Sequence, residues 1–391
     1  MQTALSKLRP FYFYLVIVLA RLTQWLYLPA SAWQARGDLV TYFRVAEVPG
    51  WPYFQSWAEY PPIFPFISEL IYRVSGGQEQ TYVLLFSLLL LIADLANFWL
   101  VSRILALYLS GSVLFERQVV TAAVILLVPY FSGYFEPLVL LTVLGSLWCI
   151  LSGKKKASSL LLAIGFLVKM FPALLFSVVW KKWKIREAMA ATLLFLLLLV
   201  MVYGAFFLLS PDFTVASFVS QANKGSWETI WALIDGNFQT GNFGGLVERL
   251  DPLSAFRSIG NPARISPWLT LAPFALFGFW RWKKAKPVSI PQWIALAGLT
   301  WSIFIIWLPG WSPQWVVYLL ILMIFCLPAN QGMLTGAALY MVTLAEWPVL
   351  WSGDFSMPWA AAIILRTLLL ALCAYQFDCA IHQEVLPQAQ I

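Results

Sequence analysis

Apolar runs about twenty residues long recur along the whole of this chain, and short clusters of lysine and arginine separate many of them. A helix of about 20 apolar residues crosses the hydrocarbon core of a bilayer. No soluble fold needs so many such runs. Hydrophobic residues make up 61% of the 391-residue sequence and charged ones 11%, whereas a soluble domain carries roughly a quarter charged residues. Lipid is therefore the main solvent. The expected fold class is an all-α polytopic membrane protein with about 10–12 transmembrane helices in a single domain.

The spans are expected at 11–30, 81–101, 119–133, 137–152, 187–209, 267–282, 290–308, 315–331, 333–350 and 359–378. The run 157–180 has basic clusters at both ends, so both ends want the same side of the membrane. A hairpin of short or re-entrant helices is expected there, turning near Lys169-Met170-Phe171-Pro172. Non-helical backbone at membrane depth must be buried in protein or face a wet cavity. Lys7 and Arg9 precede a first run that is longer than a signal-peptide core and has no small-residue cleavage pattern. It reads as a first transmembrane helix rather than a cleaved leader.

Sidedness follows from the basic residues. Fifteen of the 25 fall in short clusters: Lys7/Arg9, Arg103/Arg117, Lys154 to Lys156, Lys181/Lys182/Lys184/Arg186 and Arg281/Lys283/Lys284/Lys286. The positive-inside bias assigns them to the cytoplasm, with both termini. The long loops 31–80 and 210–266 then lie outside, in a cell membrane of plasma or inner type. The net charge of +7 is dispersed into these clusters, so it is no footprint of nucleic acid. Cys149, Cys326, Cys373 and Cys379 have neither metal-site nor disulfide spacing. The single histidine, His382, lies in a polar tail, which argues against histidine-based hydrolysis and against a histidine-rich metal site.

The outer loop 31–80 carries the most chemistry. It reads Arg36-Gly37-Asp38-Leu39, then an aromatic and proline-rich stretch with Glu59-Tyr60-Pro61-Pro62, and 62–74 suits an interfacial helix. An acid directly after the first span is either a cap or solvated charge, or a general base held beside a partly dry aromatic surface. Arg21, Lys169 and Arg366 lie inside apolar runs. Such charges are costly and face the bundle interior; the structural readings are pairing with a carboxylate or snorkelling. Lys169, at the hairpin turn, is placed to meet a lipid phosphate. Asp94 and Asn97 read as interhelical polar glue. In the loop 210–266, Trp227, Trp231, Asp235 and Asn237 mix aromatic, acid and amide groups in the manner of sugar-binding surfaces. Trp311-Ser312-Pro313-Gln314-Trp315 forms another outer aromatic turn, open also to the reading of an interfacial belt.

In order, these segments resemble the C-type (GT-C) membrane glycosyltransferases that use polyprenyl-phosphate sugars. The group they resemble most is the mannosyltransferases that extend phosphatidylinositol mannosides. Arg21, Gly37-Asp38-Leu39, Tyr60-Pro61-Pro62, the turn from Gly133 to Glu136, Lys169-Met170-Phe171-Pro172 and Ser312-Pro313-Gln314 carry the likeness. It covers most of the first 190 residues and one later motif. Only Asp38 stands where some relatives have an Asp-x-Asp pair, so no metal ligand is assigned and no cofactor is expected. The resemblance implies an inverting transfer of a sugar, mannose foremost, from a polyprenyl-phosphate donor to a glycolipid or glycan hydroxyl at the extracytoplasmic face. Asp38 would be the base, and Lys169, Arg21 and Arg264 would bind the donor phosphate. Glu59, Tyr60, Glu136, Trp227, Trp231 and Gln314 would contact substrate. The competing reading is a transporter or flippase of lipid-linked saccharides. That reading expects charges near the midplane in matched halves, whereas the acid-bearing motifs here gather at one face.

Overall fold

The computed structural model describes residues 2–27, 37–128, 130–239 and 245–383. Arg36 and the rest of 28–36 thus lie outside the described residues, as do 240–244 of the second long loop and the tail beyond Gln383. Two compact units divide the chain. One comprises Met1–Ala173, Met189–Ala222 and Gly244–Arg257; the other comprises Leu174–Ala188, Asn223–Phe243 and Ser258–Ile391.

The first unit holds helices α1 (Gln2–Tyr27), α2 (Leu39–Ala46), α3 (Ile63–Val74), α4 (Glu79–Leu105), α5 (Gly111–Leu127), α6 (Tyr130–Gly133), α7 (Glu136–Leu151) and α8 (Lys155–Val168). It also takes α10 (Ile185–Leu209) from Met189 onward and α11 (Pro211–Ala222). The second unit holds α9 (Phe176–Lys182), α12 (Ile230–Asp235), α13 (Pro267–Lys284), α14 (Ile290–Trp307), α15 (Val316–Cys326), α16 (Ala329–Leu344) and α17 (Met357–His382). The protein is an all-α polytopic membrane protein. Among the described residues, five helical stretches are long and apolar enough to span: Glu79–Leu105, Ile185–Leu209, Ile290–Trp307, Ala329–Leu350 and Met357–His382. Three shorter apolar helices, Phe11–Tyr27, Glu136–Leu151 and Pro313–Cys326, add to these.

Proline and cap chemistry set several boundaries. α7 opens with Glu136 in its first turn and Pro137 beside it. Proline is tolerated there because the first N–H groups have no helical partner, and an acid suits the positive end of the helix dipole. α8 stops at Val168 because Pro172 offers no N–H to the Val168 carbonyl and its ring would clash there. Lys169 is accordingly extended, with φ −162° and ψ 140°. The non-helical backbone expected at Lys169 is thus present, and a 3₁₀ turn, Phe171–Leu175, follows it. Where an interfacial helix is expected at 62–74, the chain forms a helix, α3.

Other boundaries differ from expectation. α5 begins at Gly111 rather than near 119, with Glu116 and Arg117 inside it. Both are good helix formers, so polarity cut the apolar run without cutting the helix. The span expected at 315–331 ends at Cys326, where Leu327 before Pro328 is extended. The helices that hold the expected spans 119–133 and 137–152, α5 and α7, each pack on α4.

In the first unit α4 is the central element, with α7 against it and α8 against α7. Gly165 makes the second approach possible, since a Cβ there would stand 2.5 Å from Thr142 Oγ1 and 2.8 Å from Pro172. In the second unit α14 packs along α17 and α15. A Cβ at Gly298 would meet the Phe377 ring at 2.5 Å, so glycine sets the closeness of α14 and α17.

Candidate functional site

The first unit joins three of the motifs that the sequence separates. The Asp38 N–H donates to the Gly133 carbonyl at 2.9 Å, which lays the start of α2 on α6. Gly37 allows this contact, because any Cβ there would collide with Gly133, standing 2.7 Å from its Cα. Asp38 occupies the N-cap position of α2, but its side chain makes no capping hydrogen bond. The carboxylate, half-buried, is therefore not consumed by the commonest structural role for an acid at that position.

Three residues beyond Gly133, Glu136 is 0% exposed and forms an ion pair with Lys169, which is 9% exposed. The break after α8 delivers this lysine, so the hairpin motif and the Gly-to-Glu turn meet in one buried salt bridge. Glu136 Oε2 has no hydrogen-bond partner among the described residues. The Lys169 ammonium also lies over two rings, 5.0 Å from the centroid of Phe135 and 5.2 Å from that of Phe171.

Phe135 organises the aromatic wall above the pair. Phe64 stacks on it at 3.8 Å, and Tyr60 and Tyr42 meet it edge-on at 5.2 Å and 5.8 Å. Burial pushes the Tyr42 phenol well above its ordinary pKa, and the charges of Asp38 and Glu136 push it further. Tyr60 is raised the same way, by burial first, then by Glu59, Asp38 and Glu136. Both phenols therefore stay protonated and can each offer an O–H donor, and both feel the same two carboxylates. The Tyr42 hydroxyl is buried and has no hydrogen-bond partner among the described residues. The sequence reading did not single out Tyr42; its signal was the spacing of four from Asp38, one helical turn along α2.

The remaining candidates have other engagements. The Glu59 carboxylate pairs with Arg249 at 2.9 Å, and Arg249 lies 4.8 Å over the Trp57 ring. Nothing in the sequence pointed to Arg249, which is about 190 residues away. The cavity that Tyr42, Glu59, Tyr60, Glu69 and Arg249 help to line holds about 40 Å³, the space of a water or two. Arg21 donates to Asp94 at 3.0 Å and to the Ile125 carbonyl at 2.9 Å. It thereby ties α1 to α4 and α5, the carboxylate-pairing role that the sequence left open. Asn97 donates to the Pro137 carbonyl at 2.9 Å, again as interhelical glue.

Arg264, Trp227, Trp231 and Gln314 belong to the second unit. The Arg264 side chain is exposed, and its backbone N–H donates to Asp235 at 2.7 Å. Trp227 packs on Gly310 and carries Lys224 at 4.5 Å over its ring; Trp231 donates to the Ile306 carbonyl at 3.1 Å. Gln314 is buried. The two tryptophans are thus part of the packing. A polar cavity of about 610 Å³ lies beside them, lined by Ser226, Asn237, Gln239, Asn261 and Asp354 among others. Asn237 is fixed there by Ser226 at 3.1 Å and by the Asn261 N–H at 2.6 Å. Arg366 is bound to Glu346 and to the Glu228 carbonyl, and it lies 4.6 Å over Trp311. No protein-family model matches the chain, and no curated protein matches it.

Proposed function

We propose that this protein is an inverting glycosyltransferase that moves a sugar, mannose foremost, from a polyprenyl-phosphate donor to an acceptor hydroxyl at the extracytoplasmic face. The observation that carries the reading is the cluster in the first unit. An acid that does not cap its helix stands beside a buried aromatic wall, an unpartnered phenol and a buried Lys–Glu pair. Asp38 takes the proton of the acceptor hydroxyl as its oxygen bonds to the anomeric carbon. The bond from that carbon to the phosphate oxygen breaks, and its electron pair leaves on the polyprenyl phosphate. Attack opposite the leaving group inverts the anomeric configuration. Lys169, oriented by Glu136, is the cation offered to the departing phosphate. Tyr42 and Tyr60 supply neutral donors for sugar hydroxyls. Arg21 serves the site indirectly, through the α1–α4–α5 tie.

The test is sugar transfer from a synthetic polyprenyl-phosphate donor, comparing Asp38→Asn, Glu59→Gln and Glu136→Gln at matched protein levels. Asp38→Asn is expected to lose about 10²–10⁴-fold in rate while still binding donor. Transfer within threefold of wild type would remove Asp38 as the base. A second reading, export of a lipid-linked saccharide, draws on the buried Arg366–Glu346 pair, since ionic groups inside spans mark transport pathways. Full activity of all three variants would favour it.

A further inference from the structure

The second unit contains a groove that the proposed transfer does not use. It holds about 560 Å³ and is walled by α9, α13 and α14, with Trp180, Leu271, Phe274, Phe279, Trp282 and Phe304 among its lining residues. Its surface is almost wholly apolar, and α13 has no buried residue along its length. From Leu271 to Trp282 the helix rises about 16 Å, close to the ~15 Å hydrocarbon depth of a single leaflet.

One end of the groove is strongly basic. Trp282, a lining residue, donates to the Ser177 carbonyl at 2.8 Å and carries Lys181 4.7 Å above its ring. The Lys181 ammonium also donates to the Lys283 carbonyl at 3.2 Å. Lys284 lies 4.2 Å over Trp280, and Lys182 lies 4.8 Å over Trp293. Burial lowers the Lys181 pKa, and the nearby charge of Lys286 lowers it further. Asp378 of α17 is taken by Arg281 and lies near His382, and Glu187 at the start of α10 accepts from the Lys184 backbone N–H at 3.3 Å. None of Lys181, Lys182, Lys284 and Lys286 forms an ion pair with a carboxylate among the described residues. Several cations are thus drawn together near one end of a leaflet-deep apolar groove, and among the described residues none of these four lysines pairs with a carboxylate.

We infer that this groove is a binding site for an anionic glycerophospholipid, with one acyl chain along α13 and its phosphate among Lys181, Lys182 and Lys284. Apolar length, basic mouth and amphipathic tryptophans match the three parts of such a lipid: chain, phosphate and the glycerol boundary between them. The donor site proposed above has a different cation, Lys169, which belongs to the other unit.

Native mass spectrometry of the full chain, released from detergent with equal phosphatidylglycerol and phosphatidylcholine of the same acyl chains, tests the assignment. Each lysine near a phosphate contributes about fivefold to anionic preference. Phosphatidylglycerol should therefore be retained at least about tenfold better than phosphatidylcholine. Lys181→Gln, Lys182→Gln and Lys284→Gln together should bring that ratio near one without replacing any residue that lines the groove. Gly278→Leu, which puts a side chain into the groove, should reduce retention of both lipids. Equal retention of the two lipids by wild type would overturn the inference, and so would a preference that survives the triple lysine replacement. Displacement of phosphatidylglycerol by substoichiometric polyprenyl phosphate would also overturn it, by assigning the groove to the donor's tail. Loss of sugar transfer plays no part in these readouts, so the proposed reaction and the lipid site stand or fall separately.

Discussion

Replacing Lys169 with methionine should destabilise the protein more than it reveals about donor binding, because Lys169 is the ion-pair partner of a fully buried acid. Glu136 is 0% exposed, and its Oε2 already lacks a hydrogen bond. Breaking a buried pair from one side typically costs about 3–5 kcal/mol, since the other charge stays desolvated. The lost contacts with Phe135 and Phe171 add about 0.5–1 kcal/mol. Removing both charges is far cheaper. In Lys169→Met/Glu136→Gln no charge remains to be buried, and the double variant should recover about 2–4 kcal/mol relative to Lys169→Met. Unfolding in detergent micelles, followed by circular dichroism or tryptophan fluorescence, measures these differences. A Lys169→Met protein within about 1 kcal/mol of wild type would refute the reasoning, as would a double variant no more stable than the single one. The same pair of variants clarifies function. If the stable double variant fails to transfer sugar while Lys169→Arg retains part of the activity, the cation itself is needed, not the fold that it supports.

Tyr42→Phe should leave stability unchanged or raise it by about 1 kcal/mol, because it removes a buried hydroxyl that has no partner; if that hydroxyl donates to a sugar, transfer should nevertheless fall at least tenfold. Normal turnover would make Tyr42 a wall residue only. In a cysteine-free background, Asp251→Cys and Arg264→Cys, both exposed, should react with an impermeant thiol reagent added outside intact cells. Lys156→Cys and Lys284→Cys, also exposed, should react only after permeabilisation; labelling at 156 from outside would reverse the orientation and move the proposed site to the cytoplasm.

Much of the site was legible because its motifs obey local rules. Pro172 forbids helix at Lys169, Pro137 and Glu136 suit a helix start, and Gly37 and Gly133 suit close backbone approach. Each can be read within a window of a few residues. Tyr42 and Arg249 were missed because neither sits in a locally unusual pattern. One gains its meaning from Phe135 and Glu136, the other from Glu59. Helix ends at Gly111 and Cys326 departed from the apolar runs for a related reason: hydropathy reports which residues prefer lipid, whereas a helix continues wherever backbone geometry allows.

The sequence by itself determined that the chain folds in a membrane as helices, because composition and run length decide the solvent and lipid enforces internal hydrogen bonding. It also determined where the backbone must break. Only the tertiary structure decided which intramembrane charges are structural ties. Arg21, Lys169 and Arg366 look alike in an apolar run, yet they are held by Asp94, Glu136 and Glu346 respectively. The arginine and lysine partners lie 73 and 33 residues away, and the third lies 20 away. Pairing of buried charges depends on separations of a few ångströms between helices, and no periodicity along a single helix encodes that distance.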